Sequence, residues 1–168
     1  MHVVGEKVVY GSSGIMEIVD VREEVVGGST KKYYILHELS SSTESQIYVP
    51  VDNEKLVGAM KPLLTADEAA RLLTRVSSIP LLKWNKDNRV RSEKFRKIID
   101  SGDREDIISL MKTVYENGKR RREEGKKNYL ADESFLKRAE RIITSELSVV
   151  LGITEEEALS LLQSECDK

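Results

Sequence analysis

The sequence is poor in the residues that most chemistry needs. One cysteine, Cys166, stands in 168 residues, so no internal disulfide can form, a cysteine-based metal site lacks partners, and a reducing compartment is expected. The two histidines, His2 and His37, fall in no spacing that would pair either with a nucleophile or with metal-binding carboxylates. Neither Gly-x-x-x-x-Gly-Lys-Ser/Thr nor Gly-x-Gly-x-x-Gly occurs, so the common phosphate cradles are missing. A protein without enzymatic activity or cofactor is the expectation. No apolar run approaches the ~20 residues of a spanning helix, and Met1-His2-Val3-Val4-Gly5-Glu6 lacks the basic-then-apolar layout of a secretory signal. A cytoplasmic location with no membrane contact is therefore expected.

What is present points to two small domains. The chain is 39% hydrophobic and 33% charged, too apolar for a disordered tail and too often interrupted by charge for a membrane protein. Its net charge of −2 conceals an uneven distribution. Residues 1–60 hold five Lys/Arg against nine Asp/Glu, whereas residues 61–168 hold 22 against 20. Within the second part, Lys83 to Lys97 carries seven basic residues against two acidic ones, and Lys119 to Lys127 six against two. Local field, more than total charge, decides whether a polyanion is attracted.

The first fifty residues read as strands. Glu6 to Tyr10 is a short β-branched run ended by the turn cluster Gly11-Ser12-Ser13-Gly14. Ile15 to Val26 is too long for one straight strand without a bend or bulge, and it stops at Gly27-Gly28, a hairpin signal. Lys31 to Leu39 alternates, and after a polar loop from Ser40 to Ser45 so does Gln46 to Val51, where Pro50 points to an edge strand. Four short strands cannot cover much core as an open sheet, so a small SH3-like or Tudor-like barrel is expected over residues 1–60.

From residue 61 to 168 the period becomes helical, and about five helices are expected, giving an α+β protein of two segregated domains. Thr65-Ala66-Asp67-Glu68 fits a capping box before Ala69, Leu72, Leu73 and Val76. Ser92 can cap a helix carrying Phe95, Ile98 and Ile99 that stops at Ser101-Gly102. Asp103 starts a periodic helix that the pattern interrupts near Gly118, Asp132 caps another, and Thr154 to Glu157 caps the last, with Ala158, Leu161 and Leu162 facing inward.

Trp84 is the only tryptophan. A lone tryptophan in a helical domain is most often a core aromatic, but this one lies in an inter-helix loop between Lys83 and Asn85-Lys86-Asp87-Asn88-Arg89, without an apolar partner on its C-terminal side. A flat ring among cations suits nucleic acid: the ring stacks on or wedges beside a base while the cations hold phosphates. Lys83, Lys86, Arg89, Arg91, Lys94, Arg96 and Lys97 are the candidate DNA contacts, set against the plainer reading of a solvated lysine-rich helix. For Lys119-Arg120-Arg121-Arg122 the plainer reading, cations at a helix C-terminus, is the stronger one.

Several segments carry a resemblance. Gly5-Glu6-Lys7-Val8-Val9-Tyr10 with Gly14-Ile15, then Lys32-Tyr33-Tyr34-Ile35-Leu36 and Ile47-Tyr48-Val49-Pro50, resembles the N-terminal module of the CarD/CdnL family of bacterial transcription regulators. Lys83-Trp84-Asn85 with Arg89, Arg91 and Ser101-Gly102-Asp103 is similar to the C-terminal half of that family. The resemblance implies a monomeric factor whose barrel, shared with transcription-repair coupling factors, binds the RNA polymerase β subunit. It implies that the tryptophan enters the minor groove at the upstream edge of melted promoter DNA and stabilises the open complex with little sequence preference. Trp84 matches the wedge, Lys86, Arg89 and Arg91 fall near phosphate-contacting positions, and Glu24, Val26 and Tyr48 match the polymerase-facing positions, without the arginines some members have there. Two alternatives remain open on the sequence alone. Gly5 to Val21 also resembles the small barrel of KOW-type ribosome- or RNA-binding modules, and the helical half could belong to a sequence-specific helix-turn-helix repressor, although no helix carries an obvious row of base-reading side chains.

Overall fold

The computed structural model describes residues 1–39 and 42–168, and the chain separates into two units, Met1–Leu63 and Leu64–Lys168. The expected polar loop from Ser40 to Ser45 therefore lies partly outside the described residues.

The first unit holds β1 (Lys7–Tyr10), β2 (Ile15–Val26), β3 (Ser29–Glu38), β4 (Gln46–Pro50), the short α1 (Glu54–Gly58) and β5 (Met60–Pro62). They form one antiparallel sheet in the order β4-β3-β2-β1-β5. Gly27 and Gly28, at φ of 60° and 79°, make the two-residue turn that pairs Val26 with Ser29, since a turn of this hand needs positive φ at both central positions. The length of β2 is accommodated by a register shift between Ile18 and Asp20.

The expected closed barrel is not what forms: the sheet is open, with β4 and β5 at its edges. One face is covered instead by a local element that the strand pattern did not foretell. Leu56 and Val57 of α1 pack against Val8, Met16, Ile18, Tyr34, Leu36, Val49 and Met60. Asn53 caps that helix through its side chain, accepting from the Leu56 amide at 3.1 Å. Because β5 pairs with β1, the unit runs to Leu63 rather than ending at residue 60.

The second unit contains five helices: α2 (Ala66–Arg75), α3 (Asn88–Ser101), α4 (Arg104–Glu123), α5 (Leu130–Leu151) and α6 (Glu155–Cys166). Capping boxes at Thr65/Glu68 and Thr154/Glu157 start α2 and α6, and left-handed Gly102 and Gly152 end α3 and α5. Ala69 and Leu72 of α2, Phe95 and Ile99 of α3, Ile107, Leu110, Met111 and Val114 of α4, Ala139, Ile143 and Leu147 of α5, and Ala158 and Leu162 of α6 meet in one core. Each fully buried Leu, Ile, Val, Met or Phe side chain there contributes about 1.5–3 kcal/mol. Phe95 and Phe135 meet edge to face at 5.9 Å between centroids. No described helix is long and apolar enough to cross a membrane.

Four local expectations are corrected. Asp87, not Ser92, caps α3, its carboxylate accepting from the Arg89 and Val90 amides at 2.9 and 3.2 Å, so the helix starts a turn earlier. α5 starts at Leu130, with Tyr129 at the cap position and Asp132 inside the first turn. Leu161 is 45% exposed, because Ala158, Leu162 and Cys166 form the side of α6 that meets the core. Gly118 does not interrupt α4, which continues to Glu123. A Cβ at Gly118 would lie 3.0 Å from the side-chain amide atoms of Asn128, so glycine here makes room for a neighbour rather than ending a helix.

Candidate functional site

In the second unit the loop that carries Trp84 is tied down at both ends. On its N-terminal side, one stretch of α4 holds it. Lys112 donates through Nζ to the carbonyls of Val76, Ser77 and Ile79 at 2.8, 3.2 and 2.5 Å. Ser109 donates to the Pro80 carbonyl at 2.5 Å, and Thr113 accepts from the Leu82 amide at 2.8 Å. These bonds satisfy backbone groups of the 3-10 turn Val76–Ser78 and of the irregular segment that follows it. On its C-terminal side Asn85 accepts from the Asp87 amide at 2.9 Å, and Asp87 then caps α3. Trp84 sits between these anchors, half-buried, with part of its surface against the helical core.

Arg91 stands over the indole. Its Cζ lies 4.3 Å from the Trp84 ring centroid and 5.0 Å from that of Tyr129. The guanidinium is 2% exposed, and all of its hydrogen bonds are made within the protein. Nε and Nη2 donate to Asp132 Oδ1 and Oδ2 at 2.9 and 3.0 Å, Nη1 to the Asn85 carbonyl at 2.8 Å, and Nη2 also to Asn88 Oδ1 at 2.7 Å. Asp132, 1% exposed, is in the first turn of α5, where helix amides favour negative charge. Arg91 is thus corrected from the role expected of it: a buried guanidinium engaged with a carboxylate is not a surface cation for phosphates. It holds the loop, and through its bond to the Asn85 carbonyl it fixes the backbone beside Trp84.

The remaining expected DNA contacts are exposed, but they do not form one stripe. Lys83 and Lys86 flank Trp84 in the loop, and Arg89 opens α3. Further along α3, at about 100° per residue, Arg96 lies on the flank of Arg89, whereas Lys94 lies about 160° around from Arg96, with Lys97 between. Lys83, Lys86 and Arg89 accompany the tryptophan in sequence; the other three spread around the helix.

Tyr129 carries no sign in the sequence pattern, and Arg121 and Asp132, expected as a helix C-terminal cation and a cap, take part here instead. Arg121 Cζ lies 4.1 Å from the Tyr129 centroid, so a chain of cation–π contacts runs Trp84–Arg91–Tyr129–Arg121 and reaches the second basic cluster. The only sequence sign was an acid in a helix's first turn, and Asp132 is 41 residues from its partner. Cys166 is half-buried, and burial pushes its thiol up to about 11. Among the described residues no group of three or more His, Cys, Asp or Glu is placed to hold a metal ion.

In the first unit a second cluster lies on the face of β2 that carries Arg22, Glu24 and Val26 at alternate positions. Arg22 Nη2 donates to the Tyr48 hydroxyl at 2.8 Å, and Arg22 Nε pairs with Glu24 Oε1 at 2.8 Å. Tyr48 meets Tyr33 edge to face at 6.1 Å, and Val26 and Tyr48 are exposed. Glu24 and Tyr48, expected as polymerase-facing, are therefore joined through Arg22, which the sequence reading left out although it alternates with Asp20 and Glu24.

Both units match known family models. Residues 3–63 match the CarD-like/TRCF RID domain, and residues 71–163 match the CarD C-terminal domain. The chain belongs to the CarD family. No curated protein matches it. As a CarD-family protein it is a transcription regulator, and its first unit is an RNA polymerase-interacting module.

Proposed function

We propose that this protein binds the RNA polymerase β subunit through the Arg22–Tyr48 face of its first unit and stabilises the open promoter complex through Trp84. In this reading it acts as a monomer, and the indole enters the minor groove at the upstream edge of melted DNA. Lys83, Lys86 and Arg89 hold the neighbouring phosphates without reading sequence. The observation that carries the reading is Trp84 itself: a half-buried tryptophan on a doubly anchored loop, with exposed cations beside it.

The physics is differential binding. A factor shifts promoter opening only by the difference between its affinities for open and closed DNA. Stacking one base on an aromatic ring is worth about 1–3 kcal/mol, so a preference of ~1.4 kcal/mol would raise a small open fraction about tenfold. Tethering to polymerase raises the local concentration of the helical unit, so weak phosphate contacts suffice.

The test is Trp84→Ala in the full chain. It is expected to retain polymerase in a pull-down while the lifetime of open complexes falls about tenfold. A variant that loses polymerase binding, or one that leaves open complexes as long-lived as the unaltered protein does, refutes this division of labour.

A further inference from the structure

We propose that Arg91 is a positioning residue that makes Trp84 one-faced, and that this restricts the indole to the end of a base stack. The inference rests on the assignment of Trp84 to DNA. With Cζ 4.3 Å from the ring centroid, the guanidinium covers one face of the indole. It cannot swing away cheaply, because Asp132 and the Asn85 carbonyl hold it from separate directions and the pair is almost wholly buried. Tyr129 shares the guanidinium at 5.0 Å.

The consequence is a choice of DNA structure. A ring inserted between two intact base pairs needs both faces free, and must first separate a stacked step at a cost of a few kcal/mol. A ring with one free face covers one base plane only. Such a plane is offered without unstacking where paired DNA ends and the strands diverge. Arg91 would thereby set preference for a fork over a continuous duplex, without touching DNA itself.

Because Trp84 is the only tryptophan, its emission reports on this arrangement directly. The experiment uses the full chain and two DNAs of one sequence, a forked duplex and a fully paired one. Acrylamide quenching of Trp84 is read in the free protein, and the fork-to-duplex affinity ratio in the complexes. Arg91→Lys keeps a cation for Asp132 but loses the planar stack. Quenching should rise, and the fork-to-duplex ratio fall, by about two- to fivefold, the size of one cation–π contact. Tyr129→Ala should move both readouts the same way, and Tyr129→Phe, which keeps the ring, should restore both. If Arg91→Lys fails to fold, the Tyr129 pair carries the test.

Unaltered quenching and an unaltered ratio in Arg91→Lys and Tyr129→Ala overturn the proposal. So does a rise in quenching with no change in the ratio, since the ring would then be loosened without consequence for DNA choice. Failure of the underlying assignment looks different. Trp84→Phe and Trp84→Ala would then leave fork affinity unaltered, while quenching in the free protein would still decide whether Arg91 holds the ring.

Discussion

Asp132→Asn probes the buried pair at the centre of the helical unit. The substitution preserves shape but leaves Arg91, 2% exposed, with no carboxylate partner. Breaking one half of a buried ion pair costs about 3–5 kcal/mol, because the remaining charge stays desolvated. Asn retains one acceptor oxygen, which places the expected loss near ~3 kcal/mol. With a urea m-value of about 1–3 kcal/mol/M, the unfolding midpoint should fall by roughly 1–3 M. Far-UV circular dichroism follows the helices, and Trp84 fluorescence follows the loop that Arg91 holds. The double variant Arg91→Met/Asp132→Leu removes both charges and should recover much of the loss, since apolar side chains of similar volume can replace a buried pair at little cost. Raising NaCl should not rescue Asp132→Asn, because a buried pair is poorly screened. A loss below ~1 kcal/mol in the single variant, as for an exposed pair, would refute the burial on which the role of Arg91 depends.

Two further outcomes are expected. Gly118→Val should destabilise by about 1–3 kcal/mol in urea melts, as overpacking against Asn128 does, while Gly118→Ala combined with Asn128→Ala should gain up to ~1 kcal/mol of helix propensity; stabilisation by Gly118→Ala alone would show that Asn128 moves aside freely. Lys83, Lys86 and Arg89 each contacting a phosphate would give log K against log salt a slope of about −2.7 on forked DNA, and Lys86→Ala should lower its magnitude by about 0.9; an unaltered slope removes Lys86 from the contact set.

The sequence made the helices legible where the signal is local. The capping boxes at Thr65 and Thr154, the left-handed glycine at 102 and the Gly27-Gly28 turn involve residues a few positions apart, and each sits where the pattern placed it. It failed where the deciding partner is distant or the cue is too short. β5 has three residues, and α1 has five, so neither shows a period that could reveal the cover of an open sheet. Asp132 looked like a cap because its role as the counter-ion of Arg91 depends on a residue 41 positions away. In a charge tally Arg91 stands with its basic neighbours, since such a tally does not distinguish a cation facing water from one facing a buried carboxylate.

The sheet's two outermost strands both finish on a proline, Pro50 in β4 and Pro62 in β5. A strand approaching either border of this sheet meets a position with no amide hydrogen to offer, so a continuous intermolecular ladder cannot be laid along the full length. Copies of the first unit are in this way hindered from pairing edge to edge, by two imino acids placed at the ends of the border strands.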